Sequence, residues 1–288
     1  MKKKPRLMLS KAPVRRRNNP KTRKPTLAER ADRYALYQRS VQDADWEIGF
    51  MSDTYKSIRG RIPKRLREDF CASALFACAW VQSARDREAV GIDLDSTVLD
   101  WGREHNVSRL KPSETARLKL LQEDVLTTRP AAVDIVAAFN FSYWIFRDRK
   151  TLKRYFQNVR AGLKGDGIFM LDAFGGYDAC RVLKEREEMG RFTYIWDQAA
   201  YDPVTGDFTC HIHYAFPDGS RLNKAFSYYW RLWTLPEIRE ILAEAGFGRV
   251  QVYWQGTDPK TGEGSDEFTP VEHGDPDPSW IAYIVAEK

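Results

Sequence analysis

The stretch Arg67-Glu68-Asp69-Phe70-Cys71-Ala72-Ser73-Ala74, followed about 20 residues on by Ala89-Val90-Gly91-Ile92-Asp93-Leu94, decides how the chain is read. The second run is short, apolar and β-branched, a strand buried on both faces, and it ends in an acid. Ser96 then reads as the N-cap of a helix that runs to about Glu104. An acid so placed sits at the carboxyl end of a parallel strand, in the crevice where open α/β sheets bind ligands. An acid there is expected to accept hydrogen bonds from a ligand's hydroxyls; the competing reading is that Asp93 or Asp95 only caps the helix.

Outward from this pair the same alternation continues from Leu66 to Lys288. Residues 72–82 read as a helix and Asp134-Ile135-Val136-Ala137-Ala138-Phe139 as a strand. Leu152, Tyr155, Phe156, Val159 and Leu163 fall at helical spacing, ending at Gly165-Asp166-Gly167. Ile168 to Ala173 is a further strand, closed by Gly175-Gly176. Short apolar runs alternating with helical patterns are the sign of βαβ units and a parallel sheet.

Beyond Gly176 the rhythm changes. Phe192 to Tyr201, Asp207 to Phe216 and Arg221 to Trp233 are strand-like and aromatic, and Pro217-Asp218-Gly219 turns between the last two. This predicts a small antiparallel meander at about 190–233. Thr234-Leu235-Pro236-Glu237 is a capping box opening a helix that ends at Gly246. Arg249 to Trp254 and Trp280 to Ala286 are the last strands. The polar stretch of about 25 residues between them reads as a mobile loop.

The charge is unevenly placed. Of 46 Lys and Arg, eleven lie in residues 1–25, which hold no acid. The remainder carries 35 basic against 40 acidic residues, which argues against a basic nucleic-acid groove over the folded part. Residues 1–25 are expected to be a disordered basic arm, able to bind nucleic acid by counterion release or else a solvated tail. Residues 26–62 form an N-terminal helical segment, broken by Pro63, and 63–288 the main domain. The cysteines Cys71, Cys78, Cys180 and Cys210 show no CxxC pair, which suits a reducing compartment. No apolar run reaches the length of a membrane span, and a soluble, cytoplasmic protein is expected.

Parallel βα units closed by an antiparallel pair resemble the sheet of the class I S-adenosylmethionine-dependent methyltransferases. The resemblance implies an α/β, Rossmann-like seven-stranded sheet, mostly parallel with a C-terminal antiparallel pair and the inserted meander. Within that superfamily the chain resembles a bacterial and plant group with an Arg-Glu-Asp-Phe-Cys-Gly-Thr-Ala loop. The likeness runs from about Arg33 through Tyr34, Tyr37 and Gln38 to Trp280-Ile281-Ala282-Tyr283. Ala72 and Ser73 stand where the group has Gly and Thr, so the loop has no glycine, and alanine disfavours any positive φ there. The missing GxGxxG argues against NAD.

The resemblance implies S-adenosylmethionine as cofactor, held by Arg67, Asp69, Cys71, Ala72, Asp93, Leu94, Asp124, Val125 and Asn140. Asp124 would accept from the adenine amino group. Asn140 and Tyr143 match two positions of the Asn-Pro-Pro-Tyr motif of amino-methyltransferases. With Trp144, Tyr194, Trp196 and Arg231 they form the expected substrate side, Tyr143 doubling as a catalytic candidate. The meander further offers Gln198, Tyr228, Tyr229, Trp230 and Trp233 as a roof or as plain aromatic core.

His211 and His213 share one face at period two, with Cys210, Ile212 and Tyr214 on the other. They are candidate general bases; without a third ligand no metal site is expected. The implied function is methyl transfer to a small or medium-sized acceptor, an amine preferred. The alternatives are an RNA- or ribosome-associated methyltransferase guided by the arm, and a catalytically silent binding protein.

Overall fold

Capping side chains divide the N-terminal helical segment into α1 (Leu27–Arg30), α2 (Arg33–Val41) and α3 (Ala44–Arg59). Asp32 accepts from the Tyr34 and Ala35 amides and Asp43 from that of Trp46, satisfying donors a helix start would orphan. α3 stops at Gly60, whose φ of 68° is the left-handed turn glycine adopts freely. The computed structural model describes residues 23–258 and 264–288; all but the last three residues of the basic arm lie outside them.

The main domain follows as β1 (Arg65–Asp69), α4 (Leu75–Ser83), β2 (Glu88–Asp93), α5 (Ser96–His105) and α6 (Pro112–Thr115). Next come β3 (Leu118–Gln122), β4 (Val133–Ala138), α7 (Arg149–Gly162) and β5 (Leu163–Gly175). The meander holds β6 (Leu183–Glu188), β7 (Thr193–Tyr201), β8 (Asp207–Ala215) and β9 (Arg221–Arg231). The chain closes with α8 (Leu235–Glu244), β10 (Arg249–Thr257), β11 (Gly264–Val271) and β12 (Trp280–Glu287).

The main sheet has eight strands in the order β11-β10-β12-β5-β4-β1-β2-β3, and the meander is a separate sheet, β6-β7-β8-β9. β3, β2, β1, β4 and β5 run parallel; β12, β10 and β11 add on antiparallel. The expected mixed sheet is therefore present with one strand more. β11 occupies part of the stretch expected to be a mobile loop, with Tyr253 opposite Pro270 and Trp254 opposite Thr269. An edge strand needs only one apolar contact and tolerates proline. Here Phe268 supplies that contact, packing on Trp46 and Phe50 of α3. β6, nearly all charged, is likewise an edge.

Each face of the main sheet buries its own core. Phe76, Ala77 and Trp80 of α4 and Met51 and Tyr55 of α3 cover Leu66, Ile135, Ala137 and Met170. On the other face Tyr155, Phe156 and Val159 of α7 and Ile238 and Ile241 of α8 cover Val136, Ala138, Phe169 and Leu171. A third cluster, with Leu36 of α2 and Ile212, Tyr214 and Ala225 of the meander, ties the N-terminal helices to the second sheet. The cap of α5 is Asp95, accepting from the Thr97 amide, and not Ser96, which is the first helical residue. Thr234 and Glu237 form the expected capping box on α8.

Candidate functional site

The strand order reverses between β1 and β4, the place where open α/β sheets bind ligands outside the carboxyl ends of their strands. One cavity lies there and a second adjoins it. The first, of ≈ 310 Å³, is floored by Glu68 and Asp69 at the end of β1 and Ala72 after it, Asp93 at the end of β2 and Asp95 after it, and Phe139 and Asn140 after β4. Arg33, Tyr34 and Tyr37 of α2, with Phe226 and Tyr228 of β9, form its roof. Gln38 of α2 donates to the Ser73 hydroxyl at 2.7 Å, fastening that roof to the β1 loop.

The loop takes the path a glycine-rich turn would take. Phe70, Ala72 and Ala74 have φ of 57°, 45° and 57°. A side chain in this region costs about 1–2 kcal/mol, so the surroundings must hold it. Asp93 does so: its Oδ2 accepts the Ala72 amide at 2.8 Å and its Oδ1 the Asp95 amide at 2.9 Å. Asp172 of β5 does the same on the far side. Its oxygens accept the amides of Asn140 (2.8 Å) and Phe141 (2.9 Å), both at φ 57°.

Acids crowd the crevice. Burial, only partly offset by the Ala77 amide, pushes the Glu68 carboxyl up to about 8. Burial raises Asp172 to about 7 and raises Asp69 and Asp93 above the usual carboxylate range. A cationic ligand would restore the ionised forms.

The second cavity, of ≈ 210 Å³, lies between the end of β5 and the inner face of the meander. Phe141, Phe174, Tyr194 and Trp196 give it aromatic walls. Tyr37, Asn140, Tyr228 and Trp230 line both cavities and form the partition between them.

Of the sequence-derived candidates, the structure brings Asp69, Ala72, Asp93 and Asn140 to the first cavity and Asn140, Tyr194 and Trp196 to the second. Gln198 of the expected roof lines the second, and Tyr228 and Trp230 line both; the remaining candidates line neither. Arg67 is buried against Asp69, and Cys71 and Val125 are core residues. Leu94 is 63% exposed, and Asp124 accepts the Leu126 amide in its own turn. Tyr143 and Trp144 are fully buried, the Tyr143 hydroxyl donating to the Asp172 carbonyl at 2.8 Å. Arg231 pairs with Glu237 above the Trp233 ring.

The histidines are a correction of the same kind. Ile212 faces the second cavity, so His211 and His213 lie on the opposite face of β8, where His211 is buried. His211 Nδ1 lies 2.9 Å from the Ser227 hydroxyl, and burial lowers its pKa. His213 Nε2 meets Asp197 at 3.1 Å and its Nδ1 accepts the Lys224 amide. Neither can serve as a base in these cavities. Glu68, Phe139, Glu185 and the α2 side chains of the roof went unassigned. The i, i+3 spacing of Tyr34 and Tyr37 was the available signal for the last.

No family model matches the chain, and no curated protein matches it in sequence. Solved structures do match in shape. An S-adenosylmethionine-dependent methyltransferase from Clostridium acetobutylicum is 16% identical with a TM-score of 0.61, covering 88% of this chain and 96% of its own. CalS10, an amino pentose methyltransferase from Micromonospora echinaspora with S-adenosylmethionine bound, is 14% identical with a TM-score of 0.61, covering 88% and 95%. The sugar N-methyltransferase KedS8 from Streptoalloteichus is 14% identical with a TM-score of 0.59, covering 90% and 93%. The chain has the fold of the class I S-adenosylmethionine-dependent methyltransferases.

Proposed function

We propose that the chain transfers a methyl group from S-adenosylmethionine to a small acceptor, an amine by preference. The observation that carries this reading is the partition: an acid-lined cavity at the strand ends shares Tyr37, Asn140, Tyr228 and Trp230 with an aromatic one. In-line transfer needs two ligands end to end across such a wall.

The donor and acceptor groups present fit the cofactor. Asp93 and Asp95 are placed to accept from ribose hydroxyls. Glu68 has one oxygen on the Ala77 amide and would set the other against the ammonium of the cofactor's amino-acid end. When bound, the cofactor supplies an electrophilic methyl on a sulfonium; the acceptor lone pair takes it and the C–S electron pair stays on sulfur. The chain's part is alignment and dryness. The Asn140 side chain stands in the partition to orient the acceptor nitrogen, while Tyr228 and Trp230, stacked at 4.3 Å, keep water from it. The names borne by CalS10 and KedS8, an amino pentose and a sugar N-methyltransferase, favour nitrogen as the acceptor atom.

Calorimetric titration with S-adenosylmethionine and S-adenosylhomocysteine, beside an Asp93→Ala control, tests the reading. Binding in the micromolar range, lost in the control, is expected. Silence of the wild-type protein at millimolar ligand would overturn it.

A further inference from the structure

Resting on the role just given to the second cavity, we infer that the acceptor is an elongated molecule bearing a cationic group remote from the atom that is methylated. Glu185 and Gln198 hold that group.

The second cavity has a one-sided chemistry. No Lys, Arg or His lines it, whereas Asp178, Glu185 and Gln198 do. Asp178 is paired with Arg181 at 2.8 Å, so its charge is already balanced. Glu185 forms no ion pair among the described residues; its β6 neighbour Lys184 points to the other face and pairs with Asp197.

Gln198 is the more telling group. It is buried, and its amide nitrogen donates to two backbone carbonyls, those of Asp178 and Arg181, each at 2.9 Å. Those two bonds fix which way the amide faces. Its carbonyl oxygen takes no hydrogen bond among the described residues, and Gln198 belongs to the cavity wall. An oriented acceptor on a buried side chain, beside an unpaired carboxylate, asks for a donor-rich cation. Trp196, directly across the strand pair from Glu185, has its ring 6.3 Å from that of Tyr228 and 6.4 Å from that of Trp230, and gives the acceptor an apolar floor between the partition and the anchor.

The register places this anchor far from the partition. Tyr228 pairs with Cys210, Cys210 with Gln198, and Gln198 with Leu183, which lies two residues from Glu185. With strands about 4.8 Å apart, Gln198 lies roughly 10 Å and β6 roughly 14 Å from Tyr228. A cation held there cannot be the group receiving the methyl at the partition. It stays charged throughout and works as a handle.

Isothermal calorimetry with three probes tests this: the eight-carbon terminal diamine, octylamine and octanoate, each on the wild-type protein and on Glu185→Gln. Glu185 is exposed on an edge strand, so the variant should fold; its melting temperature checks this. The diamine and octylamine should both bind, since the one ammonium of octylamine takes the same anchor, and Glu185→Gln should weaken each about fivefold. Octanoate should not bind. Either amine unaffected in the variant, octanoate binding as tightly as octylamine, or no binding by any probe would overturn the inference. The titrations need no cofactor. Diamine binding without S-adenosylmethionine binding would keep the inference and remove the methyl-transfer reading; the converse would remove the inference alone.

Discussion

Arg67 and Asp69 stand two residues apart on one face of β1, both fully buried, and pair through two hydrogen bonds of 2.6 and 3.0 Å. The Tyr155 hydroxyl from α7 donates to the same carboxylate at 2.9 Å. The pair thus pins a helix to the strand that leads into the crevice. Asp69→Asn would leave a buried guanidinium without its counter-charge, a loss of about 3–5 kcal/mol. Urea unfolding should show it, and replacing both residues by leucine should cost less than the single change.

Ala72→Gly should stabilise the protein. Relief of the left-handed conformation gains about 1–2 kcal/mol, against about 0.5–1 kcal/mol of added chain entropy in the unfolded state. The net rise in melting temperature, about 2–4 °C per kcal/mol, is measurable by calorimetry.

The pH dependence of the ligand-free protein should follow Glu68. Its carboxyl is raised from an ordinary 4.5 to about 8. Between those values the folded state holds a proton that the unfolded state has lost, so stability falls as pH rises through this window. Melting temperatures from pH 4 to 9 should show the decline, and Glu68→Gln should make it shallower, the other raised acids, Asp172 at about 7 among them, leaving the remainder. A cationic ligand favours the ionised form, so its binding near pH 7 should release protons, seen by calorimetry in two buffers of unlike ionisation enthalpy.

His211→Ala and His213→Ala should each lower stability by about 1 kcal/mol through the lost hydrogen bonds. Cofactor affinity and turnover should stay within about twofold of wild type, because neither ring lines a cavity. A pH–rate profile that loses a limb in either variant would contradict this placement.

The buried parallel strands β2, β4 and β5 were legible because their apolar runs are continuous, and Thr234 with Glu237 marked a helix start by chemistry alone. β3, β6 and β11 were not: each lies at a sheet edge and carries polar or charged residues that dilute the pattern. The site was half legible. Asp93 followed from its place at a strand end. Arg67 was assigned to a loop, though β1 runs on to Asp69 and turns the side chain into the core. The histidine face could have been settled by weighing it against Cys210, Ile212 and Tyr214, since the more apolar side of a strand faces inward. Glu185 had no local mark, because its meaning comes from the unlike strand beside it.

Tyr37, Asn140, Tyr228 and Trp230 have a consequence for any inhibitor. Being wall to both chambers, they give neither a shape of its own. Where a compound that shifts them from one side alters affinity on the other, the factor is by thermodynamic closure returned in full, and titrating one chamber then reads the occupancy of the other.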